Sequence, residues 1–348
     1  GGVWRQQTTL LGIALCGWGA AVLADVDDWV GSTQYQQIAV FLLAVGLFSS
    51  THGIDPHEVR SSRRLILMAV TIGVLLKAAL ISAVMILVFR KPEYLLLGIA
   101  VAQVDPLSVA ATRERSQMSE RAKAVMAAWA SFDDPMTILI SFYCLDLTAL
   151  LTGSGDSAQR GRGDGFLLDL GIDLLLNLFL VAVAWVIWQM VRSSPGLLTN
   201  RRDPTALRGF VQLIALVILM FLAVRWSLLL GVAVVGLFFR PDRIISLARV
   251  CTGALFVATF GLGMVLIDGI RPVEGIVLGV AAFGAHSLTA LLLTWRSRRG
   301  YCRRDRGYLA LGQQNGITAI ILALLLEAEY SGTVATVAPA ILLVNVMH

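Results

Sequence analysis

The chain is a succession of long apolar stretches joined by short polar segments. Each stretch is about 20 residues long, the length of helix that crosses a hydrocarbon core of about 30 Å. About twelve of them would occupy roughly 240 of the 348 residues. No room remains for a separate soluble catalytic domain. The mean hydropathy of +0.77 and the charged fraction of 15% agree with a membrane protein.

Apolar runs and the breakers between them predict an all-α polytopic membrane protein with about twelve transmembrane helices. Arg225 is the only charged residue between positions 209 and 239, and we place it at a turn between two spans. The predicted spans are 8–24, 37–52, 65–89, 95–112, 122–151, 166–191, 208–224, 226–239, 250–267, 273–295, 308–326 and 333–348.

The distribution of basic residues supports this topology. With both termini in the cytoplasm, the cytoplasmic segments hold 21 of the 28 Lys and Arg residues. Merging the two spans around Arg225 would send the arginine-rich segment 296–306 to the other side, against the positive-inside rule. We therefore expect an integral membrane protein; the resemblance described below implies the bacterial inner membrane. Its basic loops would contact anionic lipid, and no nucleic-acid partner is expected.

Asp105 and Pro106 lie inside the fourth span. A carboxylate at mid-bilayer costs at least about 2.5 to 3.5 kcal/mol, so it needs a partner, a proton or a function. Pro106 has no N–H, and its ring displaces the carbonyl four residues earlier. The span should therefore break here. The charged ends of the two half-helices would then lie inside the membrane, as in many secondary transporters.

Asp133 and Asp134 stand together near the middle of the fifth span. Two carboxylates this close in a low dielectric should not both ionise easily unless a cation is bound. This pair is suited to exchanging protons for a metal ion. The alternative is a structural kink at Pro135 beside a carboxylate pair that is satisfied within the protein.

Two further titratable groups lie within spans. Lys77, in the third span, pairs with an aspartate or compensates the carbonyl end of a half-helix. His286, in the tenth, takes part in proton transfer or hydrogen-bonds only to a backbone carbonyl. Both alternatives stay open for each residue.

The eleventh span contains a second interruption signal. Gly312 and Gly316 enclose Gln313, Gln314 and Asn315 within an otherwise apolar run. The fourth and eleventh spans are each the middle of a three-span group, the arrangement expected of an inverted repeat. The segments 65–151 and 273–348 then form an ion-binding core within one transmembrane domain, 1–348.

The assembled motifs resemble those of the cation/proton antiporter superfamily, which includes the bacterial sodium/proton antiporters. Val104-Asp105-Pro106 is similar to the Thr-Asp-Pro motif of that family, and Asp133-Asp134 matches its Asp-Asp motif. The resemblance implies two inverted three-helix groups with crossing interrupted helices. These would pack on a dimerisation scaffold, here 1–64 and 166–267, in a homodimer that works by an elevator movement.

The resemblance also implies roles for individual residues. Asp134 and Asp133 would bind the monovalent cation and couple it to protons, and His286 stands where related proteins often carry a lysine. We assign five residues to the helix crossing and to compensation of the dipoles of the half-helices there: Asp105, Pro106, Gln314, Asn315 and Lys77.

Three positions depart from the family pattern. Val104 replaces the threonine of Thr-Asp-Pro, which removes a hydroxyl near the ion. Asn315 stands in the place of an arginine and Trp129 in the place of its glutamate partner. Losing both members of a buried ion pair together is coherent, because losing one would leave an unpaired charge.

The predicted function is electrogenic secondary antiport of Na⁺ against H⁺, with these ions as substrates and no cofactor. A potassium efflux transporter or an organic-anion symporter of similar fold is an alternative. A second alternative is a membrane-embedded hydrolase that uses the aspartate pair, or the cytoplasmic cluster of His52, Asp55, His57 and Glu58. A transport-inactive sensor is the third.

Overall fold

A computed structural model describes most of the chain, and within the described part the structure is all-helical. The described residues are 2–23, 32–52, 63–106, 109, 116–152, 165–193, 204–240, 247–296, 301–313 and 315–347.

The helices follow the order of the predicted spans, and two of the spans are interrupted. We number the helices α1 (Gly2–Leu23), α2 (Thr33–His52), α3 (63–89), α4 (Tyr94–Ala100), α5 (Glu120–Thr152), α6 (Gly165–Ser193), α7 (Pro204–Arg225), α8 (Leu229–Phe238), α9 (Leu247–Val265), α10 (Pro272–Arg296), α11 (Arg303–Leu311), α12 (Ile317–Glu327) and α13 (Thr333–Met347).

The predicted turn at Arg225 is present. Helix α7 ends at Arg225, Ser227 has a φ of 54°, and α8 begins at Leu229. By length and composition alone, three of the described helices can cross a membrane, namely the parts Leu65–Phe89, Gly171–Arg192 and Pro272–Trp295 of α3, α6 and α10. Several others are shorter apolar helices, and α12 is one of them because its span is interrupted.

The fourth span breaks earlier than the position of Pro106 suggests. Helix α4 ends at Ala100, and helical geometry resumes at Pro106, where the Val109 N–H donates to the Asp105 carbonyl over 3.1 Å. Pro106 therefore starts the second segment, a position where its missing N–H costs nothing. The non-helical stretch 101–105 precedes it.

The eleventh span is interrupted where the glycine-bounded amides predict it. Helix α11 ends at Leu311 and α12 begins at Ile317, with Gly316 as its N-cap. Pro135, by contrast, does not break the fifth span, because α5 continues through it.

Helix α3 contains a feature that hydropathy does not predict. Its α-helical parts Arg63–Met68 and Val74–Phe89 are joined by a π-helical turn, Ala69–Gly73. Such wide turns shift the faces of a helix and are frequent at functional sites. Gly73 packs against Trp129 of α5, so the turn brings α3 close to the middle of α5.

Helix α5 is central to the packing. It contacts α2, α3, α8 and α11, and also the interrupted helix α4. Helix α12 packs against α2, α4, α9 and α13. The two interruptions consequently meet beside the middle of α5, among buried residues.

Candidate functional site

Side-chain amides connect the two interrupted helices where they cross. The Gln313 side-chain Nε2 donates to the carbonyls of Val101 over 3.2 Å and of Gln103 over 2.9 Å. Asn315 Nδ2 lies 3.3 Å from the same Val101 carbonyl. Because the chain is not helical here, these carbonyls lack their usual partners within a helix. The amides of the second interruption thus satisfy the acceptors of the first.

Further amide contacts connect the crossing to its neighbours. The Asn315 N–H donates to Asn345 Oδ1 over 2.9 Å, and Asn345 Nδ2 donates to the Asn315 carbonyl over 3.0 Å. Thr137 of α5 lies 3.3 Å from Gln103 Oε1. The place where the family carries an arginine is therefore filled by a neutral amide that bridges α13 and the crossing.

Asp105 lies at the start of the second half-helix. Its carboxyl packs directly on Gly316, so closely that a methyl group at that position would overlap it. Gly316 is the N-cap of α12, whose first N–H groups carry partial positive charge. The predicted placement of Asp105 beside a half-helix end is therefore what the structure has, and its role there stays a prediction.

Asp134 is held by two hydroxyl groups from different helices. Its Oδ2 accepts from Ser50 of α2 over 2.8 Å and from Thr318 of α12 over 2.9 Å. Its Oδ1 has no hydrogen-bond partner among the described residues, although the side chain is 1% exposed. A buried carboxylate oxygen without a partner is costly unless a ligand or proton reaches it.

Asp133 faces a different side of α5 and pairs with Lys77. Both side chains are fully buried, and Lys77 Nζ donates to Asp133 Oδ2. Lys77 Nζ also lies 5.3 Å from the centroid of the Trp129 ring. Of the two alternatives left open for Lys77, the structure has the contact with an aspartate, and its assignment to dipole compensation at the helix crossing stays a prediction. The π-helical turn just before Lys77 helps direct it toward α5.

His286 of α10 lies beside Trp129. Its ring lies 5.1 Å from the Trp129 ring, and Nε2 is 3.0 Å from the Leu309 carbonyl at the end of α11. Ser287 donates to the Ala310 carbonyl over 2.8 Å. His286 therefore contacts a backbone carbonyl, whereas Lys77 is the cation that pairs with Asp133.

A carboxylate also joins the starts of α5 and α11 outside the predicted spans. Asp305 accepts from the Ser119 N–H over 2.9 Å and from the Ser119 hydroxyl over 2.8 Å. Burial alone would raise the pKa of Asp305, but these bonds and those from Cys302 outweigh it and lower the pKa below its usual range. Asp305 thus caps the N-terminus of α5, which carries the aspartate pair.

Some predicted residues lie outside the described part of the chain, among them Gln314, Asp55, His57 and Glu58. His52, at the end of α2, is described and stacks on Phe48 at 5.4 Å. Among the described residues no group of three or more His, Cys, Asp or Glu side chains is arranged to hold a metal ion.

Sequence reasoning missed Ser50 and Thr318. Both are isolated hydroxyls in apolar spans, and such residues usually bond to the carbonyl of their own helix. Only the distance to Asp134 identifies them. The available signal was weak: Thr318 lies two residues after Gly316, in the first turn of α12, and Ser50 lies in a Ser-Ser-Thr run, 49–51.

Comparisons with known proteins identify the family of the chain and agree with its fold. The family model "Sodium/hydrogen exchanger, transmembrane" matches residues 8–347. The solved structure of the sodium proton antiporter MjNhaP1 from Methanocaldococcus jannaschii at pH 8 is similar, with a TM-score of 0.59 and 15% identity over 98% of this chain and 94% of that one. A structure from an electron-microscopy map of the same antiporter is also similar, with a TM-score of 0.59 and 16% identity. That match covers 89% of this chain and 80% of the antiporter. No curated protein sequence matches the chain.

Proposed function

Because this chain belongs to the sodium/hydrogen exchanger family, we propose that its cation/proton antiport moves Na⁺ against H⁺ through the site at Asp134. The observation that carries the proposal is the buried Asp134 carboxyl at the helix crossing. One of its oxygens is fixed by two hydroxyls, and the other has no partner among the described residues. Such an oxygen can take either a proton or a cation.

The charge balance favours a monovalent cation. Two free carboxylates side by side would suit a divalent ion such as Ca²⁺, which takes several oxygen ligands. Lys77 neutralises Asp133, however, and Asp105 lies against the positive end of α12. One carboxylate, Asp134, then remains for the transported ion. Oxygen ligands suit the alkali cations, and Na⁺ is the substrate we propose.

Transport follows from competition for Asp134. On the side with high proton activity, a proton displaces the cation from the carboxyl, and on the other side the cation displaces the proton. The gradient of one ion then drives the other. Asp134 needs access to each side in turn, and an elevator movement supplies this if α3–α5 and α10–α13 move as a core against α1, α2 and α6–α9.

We further propose that the exchange is electrogenic. Asp133 and Lys77 form a second exchangeable pair next to Asp134. If a proton leaves this pair when the cation occupies Asp134, two protons exchange for one cation and net charge crosses the membrane. Trp129 and Asn315 replace the glutamate and arginine that the family pattern has as an ion pair, and this replacement agrees with the proposal. Trp129 lies beside Lys77 instead of forming that pair.

We also propose the oligomeric state of the carrier, its orientation in the membrane and its lipid contacts. We expect a homodimer that forms through the scaffold segments 1–64 and 166–267. Both termini face the cytoplasm of a bacterial cell, and the basic cytoplasmic loops bind anionic lipid. Crosslinking in the membrane at increasing lipid-to-protein ratio tests the dimer.

The deciding experiment is exchange in proteoliposomes. Purified protein is reconstituted with a pH-sensitive dye inside, and Na⁺, Li⁺, K⁺ or choline is added outside across a range of pH. We expect alkali-cation-dependent proton movement, strongest with Na⁺, that disappears in Asp134→Asn. Proton movement that is the same with choline as with Na⁺, or that persists in Asp134→Asn, would contradict the proposal.

A further inference from the structure

The Ser50 hydroxyl has two acceptors for a single proton. Its Oγ is 2.9 Å from the Gly46 carbonyl of its own helix and 2.8 Å from Asp134 Oδ2. A serine hydroxyl carries one hydrogen and two lone pairs. When the hydrogen points to Asp134, Ser50 is a donor to the carboxylate. When it points to Gly46, a lone pair of Ser50 faces the carboxylate instead.

Against an ionised Asp134 the second orientation would be repulsive unless a cation lies between the two oxygens, and against a protonated Asp134 the carboxyl O–H would donate to Ser50. We propose that Ser50 is a ligand of the transported cation: cation binding turns its proton to Gly46, and its oxygen then coordinates the ion together with Asp134. This inference rests on the proposed antiport at Asp134. It adds a ligand from α2, a helix of the predicted scaffold, to a carboxylate of the predicted core.

Burial and chemistry support this assignment. Ser50 is buried, and the Asp134 carboxyl that it contacts through Oδ2 has a second oxygen, Oδ1, without a partner among the described residues. Hydroxyl and carboxylate oxygens are hard ligands, which suit Na⁺ and Li⁺ better than soft metals. Thr318 approaches the same Oδ2 from α12. A cation there would be enclosed by oxygens from three helices.

The neighbouring hydroxyl supplies a matched control. Thr51 is also buried, but both acceptors of its Oγ1 lie in its own helix, namely the Leu47 carbonyl at 3.1 Å and the Phe48 carbonyl at 3.3 Å. It packs against Gly236 of α8, away from Asp134. Thr51→Val keeps the shape of the side chain and removes a hydroxyl one residue away from Ser50.

The first test measures cation binding without transport. The melting temperature of the purified protein in detergent is followed as NaCl is raised, with choline chloride keeping the ionic strength constant. A ligand of the folded state raises the melting temperature. In Ser50→Ala we expect the Na⁺ concentration for half of this rise to increase about tenfold, which corresponds to about 1.4 kcal/mol. Thr51→Val should match the wild type, and Asp134→Asn should show no rise.

The second test changes the softness of the proposed ligand. Ser50→Cys replaces the oxygen by sulfur at nearly the same volume, so the preference should move toward Tl⁺, a soft monovalent cation. We expect the ratio of half-saturating Na⁺ to half-saturating Tl⁺ to rise at least about fivefold. Thr51→Cys should leave it unchanged. A purely structural role of Ser50 would not alter this ratio.

The outcomes separate this inference from the proposed function. Unchanged Na⁺ dependence in Ser50→Ala, or an unchanged Na⁺/Tl⁺ ratio in Ser50→Cys, overturns the ligand role while antiport at Asp134 stands. If Ser50→Ala does not fold, the ratio in Ser50→Cys decides. A wild type whose melting temperature ignores every alkali cation and that exchanges none of them overturns both proposals.

Discussion

The two faces of α5 hold neighbouring carboxylates in opposite ways. Toward α3, Asp133 meets a full positive charge on Lys77, beside the ring of Trp129. Toward α2 and α12, Asp134 meets only the neutral hydroxyls of Ser50 and Thr318. Adjacent residues on a helix point about 100° apart, so one short motif reaches both environments. Each carboxyl keeps one oxygen, Oδ1, without a hydrogen-bond partner among the described residues, so the difference lies in the charge of the partner, and it supports the proposal that Asp134 takes the transported ion.

The largest effect is expected on the hydroxyl-lined face. Asp134→Asn keeps the shape of the side chain but removes the charge that a cation or proton needs, so exchange should fall to the level of empty liposomes. Dye-based exchange in proteoliposomes measures this. Asp173→Asn, an exposed aspartate of α6, is the control and should exchange like the wild type. Substantial exchange in Asp134→Asn would remove the functional distinction between the two faces.

The charged face should show the largest change in stability. Removing one member of a buried ion pair leaves an uncompensated charge, which costs about 3 to 5 kcal/mol. Lys77→Met and Asp133→Asn should therefore each lower the free energy of unfolding by that amount, measured by denaturant titration in detergent.

The double variant Lys77→Met/Asp133→Asn sharpens this test. It removes both charges together, so it should recover much of the lost stability, because replacing a whole buried pair by neutral groups is often nearly neutral. Additive losses in the double variant would show that the two side chains do not act as a pair.

The third prediction separates the faces by charge movement. Moving one charge through 100 mV is worth about 2.3 kcal/mol, so an electrogenic carrier responds strongly to membrane potential. A Na⁺ jump on a solid-supported membrane should give a current in the wild type. The Lys77→Met/Asp133→Asn variant should exchange ions with less current or none. A wild type that exchanges robustly without current would contradict the role of the charged face.

A smaller effect is expected at Asp105, whose carboxyl packs on Gly316 at the start of α12. A carboxylate at a helix N-terminus contributes about 0.3 to 1 kcal/mol, and up to about 2 when partly buried. Asp105→Asn should lower stability by about 1 to 2 kcal/mol. An unchanged melting temperature with selectively weaker Na⁺ binding would instead move Asp105 into the cation site.

The smallest effect is expected at the start of α5, beyond both faces. The lowered pKa of Asp305 means that the folded state favours its ionised form. This stability is present above the unfolded pKa of about 3.9 and is lost as the pH falls through the folded value. Asp305→Asn should therefore cost about 1 kcal/mol at pH 7. The gap to the wild type should close in strongly acidic solution, and a pH-independent gap would contradict this origin.

The features that sequence predicted correctly are those with local physical signals. Hydropathy and the positive-inside rule located the spans and the turn at Arg225. Glycines around amides located the second interruption. Pro106 located the first interruption to within a few residues, although the non-helical stretch precedes the proline because a proline can begin a helix.

The partners of the two aspartates were beyond sequence because they depend on distant packing. Lys77 and Asp133 are 56 positions apart, and Ser50 and Asp134 are 84 apart. The π-helical turn in α3 changes which residues face α5, and no hydropathy pattern shows it. The sequence therefore identified the carboxylates but not which of them would be paired with a charge.

The crossing of the interrupted helices also has a consequence for biogenesis. The Val101 and Gln103 carbonyls receive the Gln313 amide, which follows 212 and 210 positions later along the chain. During synthesis the first interruption therefore enters the bilayer long before its donors exist. Water or a transient neighbour has to hold these acceptors until the last two spans arrive. Completion of the site is then the final event of assembly, and a chain that ends before Gln313 keeps exposed peptide groups by which quality-control proteases can recognise it.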